Sequence, residues 1–224
     1  MTPDLSASKL RESLLAHTVF IALGDLLSLS WALGIPVIHL KVFPLKAKRM
    51  CAMSVKVRDR YAILLAKDSK FPAQIAYYLA HELGHIAQGH LEDGSALVDI
   101  EDPLRAPRTD PEELAADRYA LEVLTGEAEP TITTENTAYS AAGLARAARQ
   151  SAEELRIEPG TIALCFGHST ERWDKTMAAL KHIYPNAHDV SLFVNRVAAQ
   201  QLADGDASDE NAEFVRAAMG LADE

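Results

Sequence analysis

The segment at residues 72–88, PAQIAYYLAHELGHIAQ, most constrains the fold, because it combines a helical apolar pattern with two histidines and a glutamate. Successive residues of an α-helix advance by about 100°, so His81 and His85 lie about 40° apart on one face, where both can bind one ion. Glu82 lies beside them and can reach a water molecule on the ion without binding the ion itself. A separate apolar stripe consists of Ile75, Leu79, Leu83 and Ile86. The segment therefore predicts a buried helix that presents a metal-binding pair, with Gly84 leaving room for another backbone to approach.

His90 is the nearest candidate for a third ligand, but its spacing does not fit the extended pattern HExxHxxGxxH. That pattern needs a glycine and a histidine where this chain has Gln88 and Leu91. If the helix continued, His90 would lie about 140° from His85. Gly89 favours a helix end, from which His90 could turn back toward the site. The spacing nevertheless favours a loop histidine near the helix C-terminus, where positive charge is stabilised.

A second helix, predicted over 111–124, offers two carboxylates. With Glu113 set at 0° on the helical wheel, Asp117 falls at about 40°, and both lie in the middle of the apolar face. Two buried carboxylates repel each other and are costly to desolvate unless a cation or strong donors compensate. The pattern therefore predicts Glu113 as the third metal ligand. Asp117 is predicted to accept a hydrogen bond from the outer nitrogen of His81 or His85.

Two alternatives remain open on the sequence. Glu113 also fits a capping box, with Asp110 as the N-cap and Pro111 at the first helical position. Glu112, at about 260° on the same wheel, is a less suitable ligand because it lies away from the apolar face. In a helical interaction protein without a metal, the histidines would be ordinary hydrogen-bonded groups and Glu113 only a cap.

Outside these two helices, the patterns predict further short elements. A helix is expected over 5–33, ended by Gly34, and a strand over 36–40. Residues 50–66 suggest two strands around a turn near 58–60. We therefore expect an α+β fold, mostly α, with helices packed on a small, mostly antiparallel sheet and the HExxH helix in the core.

The rest of the chain is expected to be helical or irregular. Residues 91–110 predict a long loop and 125–137 a linker. Residues 138–203 predict a C-terminal helical region of three or four helices. The tail at 204–224 is acidic and expected to be flexible, with a short helix near 213–219.

The charge of the chain argues against direct binding to nucleic acid. The chain has 22 Lys and Arg against 32 Asp and Glu, a formal net charge of −10, and its basic residues form no run beyond Lys46-Ala47-Lys48-Arg49. A protein that reads duplex DNA needs a basic face to neutralise phosphates. Cys51 and Cys165 are too few for a disulfide framework, and polar residues, Gly and Pro interrupt the most apolar stretch, 18–40. We expect a cytoplasmic protein that does not span a membrane.

The two helices together resemble the ImmA/IrrE family of zinc metallopeptidases, within the gluzincin group. HELGH at 81–85, after the strand-like YAILLA, and EELAADRYA at 112–120 carry the resemblance. The second block matches the pattern Glu-x-x-Ala-Asn/Asp-x-Phe/Tyr-Ala when Glu113 is taken as the ligand. GIPV at 34–37 and MSV at 53–55 are also similar to the family's N-terminal portion. The resemblance covers about residues 15–127 and implies a zincin-like metallopeptidase domain over 1–127.

The resemblance also implies an activity. It implies one bound zinc ion, with manganese as the alternative, and an endopeptidase that cleaves a helix-turn-helix transcriptional repressor in a phage, mobile-element or stress-response setting. Glu82 would be the general base. The sequence does not choose the donor to the oxyanion, for which the candidates are Tyr119, His90, Tyr78, Arg118 and His168. The main rival is a metal-binding docking module of the same fold with little proteolysis, against which Glu82 argues because a structural zinc site needs no base.

Overall fold

The computed structural model describes residues 6–41, 50–99, 109–134, 138–186, 189–203 and 209–221. The basic cluster at 46–49 lies outside the described residues, as do parts of the predicted loop, linker and tail at 100–108, 135–137, 204–208 and 222–224. Within the described ranges the chain forms nine helices and four strands, none of the helices being long and apolar enough to cross a membrane. In chain order they are α1 (Ala7–Leu15), α2 (Leu23–Ala32), β1 (Val37–His39), β2 (Ala52–Val57), β3 (Arg60–Leu65), α3 (Pro72–Gln88), β4 (Ala96–Asp99), α4 (Pro111–Thr125), α5 (Ala141–Leu155), α6 (Pro159–Thr170), α7 (Trp173–Ile183), α8 (Val190–Ala203) and α9 (Asp209–Ala218).

The four strands form one mixed sheet in the order β1-β3-β2-β4. Strand β2 pairs antiparallel with both β3 and β4, whereas β1 pairs parallel with β3. The turn between β2 and β3 falls at the predicted place and contains Arg58 in the left-handed region, at φ 56°. Helices packed on a small, mostly antiparallel sheet confirm the predicted α+β, mostly α fold.

Helix α3 forms the centre of the core. Pro72 stands in its first turn and Gly89 ends it at φ 75°, as the sequence predicts. Every residue from 73 to 86 is buried. The helix packs on β2 and β3 and also against α2, α4 and α6. Because polar groups buried this deeply are costly without partners, tertiary structure must supply a partner for each polar side chain of α3.

Gly84 sets the separation between α3 and α4. A Cβ atom at this position would lie 3.0 Å from both the Cα and the carbonyl oxygen of Ala116, and 3.2 Å from Cβ of Tyr119. The predicted close approach of another backbone is therefore confirmed. Two of these three atoms belong to the α4 main chain, so they cannot yield unless the helix moves. The glycine thus keeps α4 close enough to place its carboxylates beside the histidines of α3.

Replacing Gly84 with alanine is expected to lower the free energy of unfolding by about 1–3 kcal/mol, because the added methyl group overpacks this contact. Gly24→Ala in α2 is the matched control, since a Cβ there would meet only Cζ of Phe193 at 3.8 Å, an ordinary contact. That control should keep or gain stability, because alanine favours a helix more than glycine does. Urea unfolding of the metal-free proteins measures both changes, and equal stability of the two variants would contradict the close packing.

The N-terminal region differs from the prediction. The single helix expected over 5–33 is wrong, because α1 ends at Leu15 and α2 begins only at Leu23. The Asp25 carboxylate accepts a hydrogen bond from the Ala22 N–H at 2.8 Å and so caps the start of a new helix. This local side-chain bond interrupts an apolar pattern that otherwise continues through both helices.

The predicted loop over 91–110 contains a strand that the sequence patterns did not indicate, β4 (Ala96–Asp99). Four residues are too few for a clear alternating pattern, and the strand is defined by its pairing with β2, in which Asp99 lies opposite Ala52. The Cys51 N–H also donates to the Asp99 carbonyl oxygen at 2.6 Å. This long-range pairing brings the end of β4 to the face of the sheet that α3 covers.

The C-terminal helices pack directly on the rest of the protein. Helix α6 packs on α3, and α8 packs on β1. The described part of the predicted tail contains α9, and the amide of Asn195 donates to the carbonyl oxygens of both Met219 and His39 at 2.9 Å. The same amide accepts a hydrogen bond from the His39 N–H. The turn after α9 is therefore hydrogen-bonded to the sheet through Asn195, and α9 includes most of the short helix predicted near 213–219.

Candidate metal centre

Four side chains from three elements converge beside α3. They are His81 and His85 of α3, Asp99 of β4 and Glu113 of α4, and one ligand atom from each lies within 4.8 Å of all the others. His81 Nε2 lies 3.0 Å from His85 Nε2, 3.1 Å from Asp99 Oδ2 and 3.4 Å from Glu113 Oε2. His85 Nε2 lies 3.6 Å from Glu113 Oε1. The structure thus brings together the three predicted ligands and a fourth side chain that the sequence did not indicate.

These distances fit a small divalent cation. Ligand atoms about 2.0–2.1 Å from a tetrahedral zinc ion lie about 3.3 Å from one another. The four atom pairs above span 3.0–3.6 Å, which is close to this spacing, and the four groups together could hold one ion. Two imidazoles and two carboxylates also form a donor set that suits zinc. Glu113, with 22% of its side chain exposed, is the most open of the four, so the centre faces solvent on the α4 side.

The outer nitrogen of His81 is held by α4. His81 Nδ1 lies 2.9 Å from Asp117 Oδ1, which is the contact that the sequence predicted. The same carboxylate oxygen accepts a hydrogen bond from the Tyr77 hydroxyl at 2.7 Å. Because Asp117 accepts the Nδ1 proton, Nε2 of His81 is the nitrogen left to face an ion. Tyr77 was not predicted, although it lies one helical turn before His81 on the same face.

His90 holds the other histidine in a similar way. Its Nδ1 lies 2.9 Å from Nδ1 of His85, on the side of the ring away from His81 and Glu113. The chain turns back after Gly89, where the His90 N–H donates to the His85 carbonyl oxygen. This position lets His90 orient the His85 ring, whereas its predicted role as an oxyanion donor stays a prediction.

Glu82, the predicted base, is fully buried and is held by the sheet. The hydroxyl of Ser54 in β2 donates a short hydrogen bond to Glu82 Oε2. Ser54 is two residues from Ala52, the partner of Asp99, so Ser54 and Asp99 lie on the same face of the sheet. His81 and Glu82 are consecutive in α3, and each contacts one side chain of this face of the sheet. His81 lies beside Asp99, and Glu82 accepts the hydrogen bond from Ser54. Ser54 lies in the MSV stretch, but the sequence did not assign it a role.

Asp99 was the ligand candidate that sequence patterns missed. It is 5% exposed and stands at the end of the short β4 strand, within a segment expected to be a loop. The residues around it, Ala96, Leu97, Val98 and Ile100, are apolar, and a single aspartate in so short an apolar run does not by itself indicate a metal ligand. Only the pairing with β2 shows that its side chain turns inward, so no local pattern could have found it.

The electrostatic environment of the cluster favours positive charge. Burial lowers the pKa of His81, but its hydrogen bonds to Asp117 and Asp99 outweigh this effect and raise the pKa to about 9. The carboxylates that stabilise a proton on this ring would stabilise a divalent cation at the same place. This potential gives a physical reason for burying several carboxylates beside two histidines.

The remaining residues that the sequence offered as oxyanion donors, and Glu112 as an alternative ligand, are not among the four side chains that converge beside α3. Tyr119 packs against Gly84, and burial together with the nearby Glu122 carboxylate raises the pKa of its phenol. Arg118 is exposed and pairs with Glu129 at 2.6 Å. Tyr78 is buried in the core, while His168 is exposed in the last turn of α6. Glu112 is exposed at the start of α4, where its N–H donates to the Asp110 side chain.

Comparisons of the chain with protein-family models, with curated proteins and with solved structures gave no match. The resemblance to the ImmA/IrrE family therefore rests on the sequence motifs given above, chiefly those at 81–85 and 112–120, and the function must be argued from the geometry of the centre.

Proposed function

We propose that this chain is a zinc-dependent endopeptidase, a site-specific regulatory protease that cleaves a helix-turn-helix transcriptional repressor. The observation that carries the proposal is Glu82, a buried carboxylate that accepts a hydrogen bond from Ser54 and directly follows His81, one of the four residues that could hold a metal ion. A site that only bound metal would have no use for this group. A hydrolytic site needs such a carboxylate as its base.

The residues of the centre have two kinds of role: some would bind the metal ion or orient its ligands, and Glu82 would transfer protons. His81, His85 and Glu113 would hold the ion, with Asp117 and His90 orienting the two imidazoles. A bound zinc ion supplies Lewis-acid polarisation of a peptide carbonyl and lowers the pKa of a water molecule. Glu82 accepts the proton of the attacking water and delivers it to the leaving amine. The Ser54 hydroxyl keeps the Glu82 carboxylate in one orientation during both transfers.

The support for the proposed substrate class is less direct than the support for the proposed reaction. The resemblance to ImmA/IrrE peptidases implies a helix-turn-helix repressor as the substrate. The formal net charge of −10 is consistent with a chain that acts on another protein and not on DNA directly. We therefore expect the substrate to be a protein, with a repressor encoded beside this gene as the first candidate.

A second function is favoured by one observation. Asp99 could complete a set of four protein ligands, and a closed set of this kind is typical of structural zinc sites. This arrangement fits a metal-binding docking module of the same fold with little proteolysis. Glu82 and Ser54 have no role in such a module, which is why we prefer the peptidase.

The test is metal analysis followed by a cleavage assay. Protein purified without chelator should contain about one zinc or manganese ion per chain, as expected for a single centre. Incubated with the co-encoded repressor, it should produce discrete fragments, and a chelator should stop the reaction until zinc is restored. Protein without stoichiometric metal would contradict the peptidase and the docking module alike. Bound metal with an intact repressor would favour the docking module.

A further inference from the structure

Asp99 makes a contact that a three-ligand hydrolytic centre does not need. Its Oδ2 atom lies 3.1 Å from His81 Nε2, and the Nε2 atoms of the two histidines lie 3.0 Å from each other. Only 3% of its side chain is exposed, compared with 22% for Glu113. Asp99 is therefore inside the cluster and is more deeply buried than the predicted carboxylate ligand.

The His81 nitrogen that binds the metal determines what the Asp99 carboxylate contacts when a metal is present. Asp117 accepts the proton of His81 Nδ1, so Nε2 is the nitrogen that would face the ion. A metal-bound nitrogen carries no proton and cannot donate to Asp99. The Asp99 carboxylate, which lies close to that nitrogen and to the other ligand atoms, is then within reach of the same ion.

A hydrolytic zinc centre keeps one position open for water or substrate, whereas four protein ligands close it. Building on the proposed peptidase function, we propose that Asp99 is a fourth metal ligand that closes the centre in the resting chain. The centre is inactive in this state, so the wild-type protein cleaves its substrate only through the fraction of molecules in which Asp99 has left the ion. Asp99, at the end of β4, thus acts as an inhibitor within the same chain.

Asp99 differs from the other three proposed ligands in the kind of element that carries it. His81 and His85 lie on α3, which is packed on all sides, and Glu113 lies on α4, which is locked against Gly84. Asp99 ends an edge strand that pairs only with β2 among the strands of the described chain. Releasing it requires a rotation of one side chain or a shift of one strand end. Moving the main chain at His81, His85 or Glu113 would instead require movement of a packed helix.

Azide binding to the cobalt-loaded full-length protein tests whether the centre is closed. The d–d absorption bands of Co²⁺ report binding of azide to the ion, with no need for a peptide substrate. A centre that is open in a tenth of the molecules or fewer binds azide about tenfold or more weakly than a fully open one. Asp99→Ala is therefore expected to bind azide about tenfold or more tightly than the wild type, and to bind Co²⁺ about tenfold or more weakly because a ligand is lost.

Two further variants provide a control and an alternative in case Asp99→Ala does not fold. Glu92→Ala removes an exposed carboxylate just before β4 and should behave as the wild type. Asp99→Asn preserves the size of the side chain with a weaker ligand, so it should show an intermediate azide affinity even if Asp99→Ala does not fold. Circular dichroism of each loaded protein checks the fold.

The outcomes separate this inference from the proposed function. Equal azide affinity in the wild type and both Asp99 variants would overturn Asp99 as a closing ligand, while leaving the peptidase intact if the wild type cleaves its repressor. An Asp99→Ala protein that binds azide tightly but cleaves no protein would support the closure and count against the peptidase. Faster cleavage by Asp99→Ala than by the wild type would support both.

Discussion

Replacing Glu82 by glutamine is expected to lower the rate of repressor cleavage by about 10²–10⁴-fold, the usual contribution of a positioned general base. Glutamine has nearly the same shape and can still accept the hydrogen bond from Ser54. It cannot take up the proton of the attacking water, nor can it return one to the leaving amine. The metal content should stay at the wild-type value, because Glu82 is not among the four side chains that converge on the centre.

The measurement combines a cleavage rate with metal analysis on the same preparation. Glu92→Gln makes the identical chemical change on an exposed residue before β4 and should cleave at the wild-type rate. Cleavage by Glu82→Gln at the wild-type rate would rule out Glu82 as the base. Loss of metal together with activity would show instead that Glu82 supports the centre structurally.

The second large effect is expected on metal affinity. Glu113→Ala removes a carboxylate whose two oxygens lie 3.4 Å from His81 Nε2 and 3.6 Å from His85 Nε2. Loss of a partner that only orients a ligand costs about 10–100-fold in affinity, so loss of a direct ligand should weaken zinc binding by about 100-fold or more. Competition with a chromophoric chelator measures the change.

Glu112→Ala provides a closely matched control, because it removes the same group from the adjacent residue. Glu112 is exposed at the start of α4, and Asp110 caps the helix through the Glu112 main-chain N–H, which alanine retains. Zinc affinity should therefore be unchanged. If the two variants bound zinc equally well, Glu113 would be only a helix-capping residue, as the sequence also allowed.

The two helices that carry the centre could be predicted because their signals are local. Periodicity, Pro72 and Gly89 placed α3, and the same reasoning placed α4 after Asp110. The helical wheel put Glu113 and Asp117 on the apolar face of α4, and Gly84 indicated a close approach of another backbone, which the structure shows to be that of α4. Local signals failed at the start of the chain, where an apolar pattern runs through two helices and a single capping bond separates them.

The sequence by itself determined that His81, Glu82 and His85 share a buried helix, because α-helical geometry relates residues only a few positions apart. Tertiary structure alone decided what surrounds them. Ser54 reaches Glu82 and Asp99 reaches His81 only because β2 pairs with β4 in one register, and His90 reaches His85 only through the turn after Gly89. Strand register depends on distant hydrogen bonds that no local pattern encodes. The side chain that decides whether the centre is open or closed, Asp99, was therefore visible only in the folded chain.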